Sequence, residues 1–484
     1  MNKKHHYMLS RFAWPWPILA GFLFSAGSLI YADRYVVEPG TPAIGPVDPA
    51  NPYTNWAEAA TNIQWAVNVA AGGETVWVSN GTYRCSSVSS GLHPHVSGGN
   101  IITSTAMIVI TNSITLRSWS GNYSNTIIDG NYPAWTTRVV LAVNTGAVLD
   151  GLTISNGWIF TNTIPYTNSG LLQGGAGIFF VNGSLVTNCL VTRNYVSNNY
   201  SGTTIGIQIN TGKISHCVIS ENRFRGTQAG IAGVQIRAGI ISNCVLTGNG
   251  HPSVTTVRAI DILSDPNQRV IVANCDINGN SGQGLRISGN NWQISSCNIR
   301  NNTLGGIYPL AAGNTNCLIQ NCLIVGNKDG MRCSYNSQQL TIRIENCTFA
   351  NNSDYAIRTD FAYGATNMTL ANSILYYNNA GGANWWAVGG TNAVYSNCCT
   401  MPIPTNMPGL PEGTGNITNA PVFVDTNVAN YRLAVNSPCI NAGVNQSWMN
   451  DAADLDGNKR IMYRIVDMGV YESFPPAGAM IYVW

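Results

Sequence analysis

Six charged side chains and one tyrosine occupy two neighbouring columns of equivalent positions in a series of short, similar segments. They are Arg237, Asp261, Arg286, Tyr308, Arg332, Arg358 and Asp360. Only 10% of the chain is charged, so this grouping is a concentration of charge. Arginines stacked at neighbouring positions repel each other, whereas the carboxylates of an anionic sugar polymer would bind them through paired hydrogen bonds. We therefore predict that these residues bind an anionic polysaccharide, with Tyr308 stacking on a sugar ring.

Two other interpretations of these residues stay open. In the first, outward positions merely tolerate charge, and Asp261 and Asp360 pair with the arginines. In the second, the same face cleaves its polymer. A polysaccharide lyase needs a base, for which an arginine assisted by Asp261 or Asp360 is the candidate, and an inverting hydrolase needs two separated carboxyls. No residue pattern identifies a catalytic group, so we favour binding over catalysis.

A second group of oxygen-bearing side chains lies in the segment DAADLDGN near the C-terminus. Its members are Asp451, Asp454, Asp456 and Asn458. Clustered oxygen ligands around a glycine turn suit Ca²⁺, the one cofactor that the sequence suggests. The loop lacks the spacing and final glutamate of an EF-hand, and a hydrogen-bonded turn is the favoured alternative.

The elements that position the first group follow from a repeat. The phrases NCLVTRN (188–194), HCVISEN (216–222), NCVLTGN (243–249), NCDINGN (274–280), SCNIRNN (296–302), NCLIVGN (321–327) and NCTFANN (346–352) recur at steps of about 25 residues, a period typical of solenoids. Each period also contains a Gly-aliphatic-x-Ile segment and an apolar residue three before the cysteine. Apolar residues alternate with period two, which excludes helical repeats. We predict an all-β, single-stranded parallel β-helix with three short strands per coil.

Two polar columns and one cysteine column follow from the repeat. An asparagine precedes most of the cysteines. A second asparagine stands five residues after the cysteine position of every phrase, from Asn194 to Asn378. Asparagine suits turns, and stacked amides can pair as a ladder. Seven cysteines in one file cannot all form disulfides, so we interpret them as buried thiols. One bridge, from Cys398 or Cys399 to Cys439, stays open.

Composition excludes several classes of protein. The net charge is +2 and 45% of the residues are hydrophobic, so neither an electrostatic nucleic-acid binder nor a disordered chain is expected. Residues 1–32 resemble a signal peptide, with cleavage after Ala32 or Gly27. An uncleaved anchor is the alternative, and no later stretch reaches a membrane-spanning length. We expect a secreted or cell-surface monomer.

The chain divides into four regions. After the signal peptide, residues 33–100 form an N-terminal cap. In it, Ile63, Ala66, Val67 and Ala70 make one stripe of a short helix that plugs the end of the solenoid, and a first strand follows at Thr75–Ser79. The β-helix is predicted over 101–397, with a projecting loop at 157–175. Residues 398–484 no longer repeat and form a C-terminal cap or appended module.

Long phrases at both ends resemble a known family. The segment YVVEPGTPAIGPVDPANPYTNWAEAATNIQWAVNVAAGGETVWVSNGTY resembles the start of bacterial secreted right-handed parallel β-helix proteins of the pectin-lyase-like superfamily. The segments NITNAPVFVDTNVANYRLAVNSPCINAG (416–443), DLDGNKRI (454–461) and VDMGVYE (466–472) resemble their C-terminal choice-of-anchor Q domain. The resemblance implies a right-handed coil and a secreted or surface role, often with a polysaccharide or cell-surface glycan as partner. The Arg-x-Pro-x-x-Arg phrase of pectate lyases is absent, as are the Asn-Thr-Asp and Gly-His-Gly phrases of polygalacturonases.

Three hypotheses for the function follow. The first is an exported β-helix that binds polysaccharide along its arginine-bearing face. The second is a polysaccharide lyase or glycoside hydrolase that uses the same face. The third is a structural or adhesive stalk without a ligand.

Overall fold

Short strands wind in successive coils, and each strand pairs in parallel with its equivalents in the coils before and after it. The structure is a computed structural model that describes residues 32–41, 47–94, 101–144, 146–160, 174–197, 203–224, 230–251, 257–264, 267–310, 316–333, 340–360, 366–379, 384–387, 391–401 and 413–474. The predicted all-β fold with three strands per coil is confirmed. Successive side chains of a strand point to opposite faces, and one face of each strand here points into the coil. The apolar residues therefore alternate along the strands.

We name three sheets by the order of their strands within a coil. The first sheet contains Ile101–Ile110, Arg138–Ala142, Ile178–Phe180, Ile207–Ser215, Ile231–Ser242, Val257–Ser264, Gly282–Gly289, Gly305–Leu310, Asp329–Cys333, Ile357–Thr359 and Trp385–Ala387, with Ser89–Pro94 antiparallel at its edge. The second sheet contains Arg34–Val36, Thr75–Val78, Thr115–Ser118, Val148–Asp150, Ser184–Thr187, Val270–Ala273, Trp292–Ser295, Cys317–Gln320, Leu340–Glu345, Thr366–Ala371 and Thr391–Ser396. Two long strands, Ile207–Ser215 and Ile231–Ser242, run through both sheets and join them.

The third sheet follows the cysteine of each phrase. It contains Gly81–Arg84, Thr126–Asp129, Thr153–Ser155, Leu190–Thr192, Val218–Ser220, Val245–Thr247, Asp276–Asn278, Asn298–Arg300, Leu323–Val325, Thr348–Ala350, Ile374–Tyr376 and Cys399–Thr400. A short additional sheet joins Trp158–Phe160, Tyr195–Ser197 and Arg223–Phe224. Most of the predicted loop at 157–175 lies outside the described residues.

The cysteine file lies inside the coils, as predicted. All thirteen cysteines are free thiols and buried. In the seven phrases from Cys189 to Cys347, each Sγ donates to the carbonyl oxygen two residues earlier, at 3.1–3.3 Å. Burial raises the pKa of the Cys297 and Cys322 thiols, which keeps them protonated and unreactive. Of the two candidates for a bridge, Cys399 shares a buried cluster with Cys439, whereas Cys398 belongs to the main core.

Asparagines build two corners of each coil. The residue before the cysteine of each phrase has a positive φ, and in most phrases it is an asparagine, for example Asn243 at 54° and Asn274 at 53°. Asparagine tolerates this conformation better than most residues. The asparagine five residues after the cysteine is buried. From Asn194 to Asn352, the Nδ2 of each donates to the Oδ1 of the next at 2.8–3.2 Å. We call this inward column the asparagine ladder.

The N-terminal region combines a cap with the first strands of the solenoid. The helix Ile63–Val69 buries the predicted stripe against the core. Its Gln64 exchanges hydrogen bonds with the backbone of Val109, so the helix also satisfies backbone groups of the first sheet. Arg34–Val36 already pairs in parallel with Thr75–Val78, which in turn pairs in parallel with Thr115–Ser118. The parallel strands therefore begin before residue 101, the predicted start.

The C-terminal segment 413–474, which we call the C-terminal module, lies beside the last coils. It contains the antiparallel pair Phe423–Asp425 and Asn430–Leu433 and the 3-10 turns Thr426–Val428 and Ser447–Met449. Two further 3-10 turns, Trp56–Glu58 and Tyr123–Asn125, lie earlier in the chain. Corner asparagines of the last four coils donate to its backbone carbonyls: Asn321 to Ala453, Asn346 to Asp467, Asn372 to Val444 and Asn397 to Ala442. No described helix has the length and apolarity to cross a membrane.

Candidate functional site

The outward side chains of the first sheet form straight columns. The register pairs Phe179 with Gln208, Gln208 with Gln235, Gln235 with Asp261, Asp261 with Arg286, Arg286 with Tyr308, and Arg332 with Arg358. Ile307 pairs with Met331, which places Tyr308 beside Arg332. Because parallel strands in register carry equivalent residues at about 4.8 Å intervals, the column that the sequence predicted is present.

The character of this face changes along the molecule. In the early coils its outward residues are apolar and buried, and they form a cluster of Ala106, Val109, Leu141, Val143, Phe179 and Val181. The strand Ser89–Pro94 packs over them, since a Cβ added to Gly91 would lie 2.8 Å from Cγ1 of Val109. Gln208 and Gln235 are also buried. In the column that starts at Phe179, charge therefore begins only at Asp261.

The predicted arginines are paired with aspartates. Arg286 makes a bidentate contact with the buried Asp261, at 2.6 and 2.8 Å. Asp360 accepts from Arg332 at 2.7 Å and from Arg358 at 2.6 Å. The sequence left open that Asp261 and Asp360 simply neutralise the arginines, and these contacts agree with that interpretation. Mutual repulsion of unpaired arginines therefore cannot be the argument for a ligand.

Two further predicted residues lie on the same face. The guanidinium carbon of Arg332 lies 5.9 Å from the ring centroid of Tyr308, within the range of a cation–π contact. Arg237 is half-buried, one coil before Asp261. Among the described residues, nothing pairs with Arg237, and it lies apart from the other charges.

A further outward column escaped the sequence analysis. The residue before the Gly-aliphatic segment also points outward, and the register pairs Arg258 with Gln283, Gln283 with Gly305, and Gly305 with Asp329. Glycine follows three of these four positions, and Ala259 follows Arg258. The glycines are needed where coils approach closely, because a Cβ on Gly306 would lie 2.6 Å from the carbonyl oxygen of Gly330. Aligning the residues before these glycines would have revealed the column. We call the combined surface the charged strip: Arg258, Asp261, Arg286, Tyr308, Asp329, Arg332, Arg358 and Asp360.

Arg258 is a guanidinium without a hydrogen-bond partner. Its Nε is buried, and its side chain makes no hydrogen bond or ion pair with any residue that the structure describes. Burial lowers the pKa of Arg258 to about 10, with Asp261 and Arg286 close enough to influence it in opposite directions. A buried donor without a partner is costly, so this position favours an anion that would accept from it.

Asp329 is the acidic counterpart of Arg258. Its side chain is fully buried, and neither carboxylate oxygen has a hydrogen-bond partner in the described part of the chain. Burial raises the pKa of Asp329 to about 6, although Arg358 and Arg332 lie near enough to favour the charged form. A carboxyl group that titrates near neutral pH in a charged surface can accept or deliver a proton.

These contacts change the choice of candidate base. The hydrogen bond that Arg358 donates to Asp360 raises the pKa of Arg358, which keeps that guanidinium protonated. Arg286 and Arg332 also form ion pairs, with Asp261 at 2.6 Å and with Asp360 at 2.7 Å. Asp329 therefore replaces an arginine as the group on this face that is suited to remove a proton.

The proposed Ca²⁺ ligands are engaged in other contacts. Asp454 is buried and accepts hydrogen bonds from the backbone N–H groups of Asp456, Asn458 and Glu472, at 2.8–2.9 Å. Asp456 pairs with Arg432, and Asp451 is exposed. The described residues contain no group of three or more His, Cys, Asp or Glu side chains suited to a metal. The geometry is that of the hydrogen-bonded turn, and Ca²⁺ binding stays a prediction.

Comparison with known proteins supports the fold. A family model described as a right handed beta helix region matches residues 241–399. The match confirms the predicted right-handed coil. No curated protein matches the chain.

Several solved structures match the chain at low sequence identity. Pectate lyase Pel9A is 13% identical over 91% of this chain and 97% of its own, with a TM-score of 0.44. The A-module of the mannuronan C-5 epimerase AlgE4 of Azotobacter vinelandii is 13% identical over 74% of this chain and 95% of its own, with a TM-score of 0.42. An alginate lyase from Paenibacillus sp. str. FPU-7 is 14% identical over 68% and 96%, with a TM-score of 0.33.

Proposed function

We propose that this protein binds an anionic polysaccharide along the charged strip, with the polymer parallel to the axis of the β-helix. The observation that carries the proposal is Arg258, whose buried Nε has no hydrogen-bond partner among the described residues. A uronate carboxylate is a planar acceptor that matches a guanidinium, and it would satisfy this donor.

The charge of the strip supports an anionic ligand. Four arginines face three aspartates, one of which, Asp329, is partly protonated near neutral pH because burial raises its pKa to about 6. The strip therefore carries excess positive charge even though Arg286, Arg332 and Arg358 are paired. Paired arginines retain further N–H donors that a polymer can use.

The spacing of the strip supports an extended ligand. Arg258 and Asp329 are three coils apart, roughly 14 Å at the usual distance between strands. Each coil between them adds one outward position to this face, so a linear polymer would contact one set of outward side chains at each step. The tyrosine ring of Tyr308 lies between the two arginine clusters and offers an apolar face to a sugar.

Location at the cell surface or outside the cell is part of this proposal. Its support is the signal-like composition of residues 1–32 and the resemblance of the C-terminal segments to the choice-of-anchor Q domain. Residues 1–31 lie outside the described part of the structure. Detection of the mature protein in culture medium or on intact cells, starting at Ser28 or Asp33, would test both the export and the cleavage site.

Binding to oligogalacturonate and oligomannuronate, measured by calorimetry at low and high salt, tests the proposal. The variant Arg258→Gln keeps much of the side-chain volume but removes the charge. We expect it to weaken binding about tenfold, and we expect salt to weaken binding by the wild type. The matched control is Arg84→Gln, which removes an arginine that is 71% exposed and remote from the strip. Equal affinity of Arg258→Gln and the wild type would contradict the proposal.

Asp329 favours lyase activity as a second candidate function. Its carboxylate would take the proton beside the uronate carboxyl, the carbon–oxygen bond to the neighbouring sugar would break, and a carbon–carbon double bond would form as the leaving oxygen gains a proton from water. New ultraviolet absorbance from the unsaturated sugar measures this reaction. We expect the rate to rise as pH passes through about 6, because the carboxylate is then the base. Retention of oligouronates without any new absorbance would favour the binding function alone.

A further inference from the structure

A second concave surface lies on a different side of the molecule, where the C-terminal module meets the coils. It is a cleft of about 730 Å³. The coil residues that line it come from the corner of three successive coils, between the second and third sheets. The opposite wall is the segment from Trp448 to Gly457, and we call this space the corner cleft.

Several polar side chains of the corner cleft have no hydrogen-bond partner in the described part of the chain. The side chains of Asn274, Ser295 and Asn298 make no hydrogen bond with any residue that the structure describes. The Oδ1 of Asn298 is buried as well. An unsatisfied buried acceptor is unfavourable, and a hydroxyl donor from a ligand would relieve the cost.

The charged groups of the corner cleft are already neutralised. Asp276 makes a bidentate contact with Arg300, at 2.8 and 3.2 Å, and also accepts from Asn278. The carboxylate of Asp454 is occupied by backbone N–H groups. What remains for a ligand is a set of amides and hydroxyls without net charge, in contrast to the charged strip.

An aromatic ring stands beside these polar groups. Trp448 is half-buried, and its indole N–H donates to Oε1 of Gln446 at 2.6 Å, which fixes the orientation of the ring. The wall that carries it is anchored to the coils. Asn321 donates to the carbonyl of Ala453, and Arg460 donates to Asn321. The ring is therefore held at a defined position relative to Asn298 and Ser295.

We propose that the corner cleft binds an uncharged pyranose sugar, stacked on Trp448 and held by hydrogen bonds to Asn274, Ser295 and Asn298. Sugar rings present an apolar face to an aromatic ring and hydroxyls at their edge, and those hydroxyls both donate and accept. The site is separate from the charged strip and does not depend on it. It would give the protein a contact with a neutral glycan in addition to its proposed anionic polymer.

Titration with cellohexaose, xylohexaose, mannohexaose and galactohexaose, followed by tryptophan fluorescence and calorimetry, tests this site. We expect at least one neutral oligosaccharide to bind and Trp448→Ala to weaken that binding at least tenfold. The control is Trp119→Ala, which removes a tryptophan that is 54% exposed at the other end of the molecule. We expect Trp119→Ala to leave binding unchanged.

Smaller variants protect the test against local misfolding. Ser295→Ala and Asn298→Ala remove single hydrogen-bonding groups, and we expect each to weaken binding about fivefold, the effect of one hydrogen bond. Arg258→Gln is expected to leave neutral-sugar binding unchanged while weakening uronate binding, so the two sites can fail separately. Absence of binding by all four neutral probes at millimolar concentration would overturn the inference, as would equal binding by Trp448→Ala and the wild type.

Discussion

The asparagine ladder and the charged strip follow the same coils but differ in how their side chains are satisfied. In the ladder, each amide donates to the next amide and accepts from the one before it. Asn280, for example, donates to Asn302 and to the carbonyl of Leu246 and accepts from Asn249. In the strip, aspartates neutralise Arg286, Arg332 and Arg358, while Arg258 and Asp329 have buried polar atoms without partners among the described residues.

The difference follows from the chemistry of the side chains. A stack of identical amides can satisfy itself because each amide is both donor and acceptor. A stack of arginines cannot, because a guanidinium only donates, so such a column needs acids or a ligand. Complete pairing indicates a structural role, and incomplete pairing in a buried position indicates that a partner is missing. We therefore expect loss of a paired side chain to destabilise the protein in either region, and loss of an unpaired carboxylate of the strip to stabilise it.

The largest effect is expected in the ladder. Asn280→Ala removes the acceptor of Asn249 and the donor to Leu246 and Asn302, all in a buried column. With about 1–3 kcal/mol for each polar group left unsatisfied, we expect the free energy of unfolding to fall by about 5 kcal/mol. Urea denaturation measures the change. The control Asn125→Ala, at an exposed turn, should change stability by less than about 0.5 kcal/mol. Similar values for the two variants would remove the distinction between ladder and surface asparagines.

The paired part of the strip should come next. Arg286→Ala leaves Asp261 as a buried carboxylate without its bidentate partner. We expect a loss of about 4 kcal/mol in the free energy of unfolding, which is typical of breaking a buried ion pair from one side. Arg432→Ala is the control, because Arg432 is 48% exposed and its pair with Asp456 should contribute less than about 1 kcal/mol. A loss for Arg286→Ala no greater than the control would mean that Asp261 is not shielded from water.

The sequence was sufficient for the repetitive parts of the molecule. Interior positions must accept the same side chain in every coil, so the cysteine phrase recurs, and its recurrence gives the register and the outward column from Phe179 to Arg358. The same reasoning located the ladder. The strand at Thr75–Val78 was predicted, but Arg34–Val36 was missed and the coils were expected to begin only near residue 101, because this region carries no cysteine phrase.

Other parts of the site depend on contacts that no repeat encodes. The pairing of Arg332 and Arg358 with the same Asp360 joins different positions of two coils. Arg258 and Asp329 occupy a column in which arginine, glutamine, glycine and aspartate follow one another, so no recurring residue marks it. The corner cleft arises because the C-terminal module docks on the side of the coils, and the sequence predicted only a cap or appended module there.

The smallest of the three effects should have the opposite sign and concerns the unpaired part of the strip. Burial raises the pKa of Asp329 from its ordinary value of 3.8 to about 6, so the folded protein holds this proton more tightly than the unfolded chain. Stability from this group is therefore complete below about pH 4 and falls as pH rises through 6. Asp329→Asn removes the ionisation, and we expect it to stabilise the protein by roughly 2 kcal/mol at pH 8 and hardly at all at pH 4. Thermal unfolding at both pH values measures the difference.

The neighbouring Asp354 provides the matched control for Asp329. Its carboxylate is 33% exposed and lies 3.8 Å from Lys328, so Asp354→Asn should change stability by less than about 1 kcal/mol. Destabilisation of the protein by Asp329→Asn at pH 8 would show that the carboxylate has a favourable partner in the folded state. The strip would then be self-satisfied like the ladder, and Asp329 would lose its place as the candidate base. Stabilisation confined to the higher pH would instead support a carboxyl group that folding leaves without a partner.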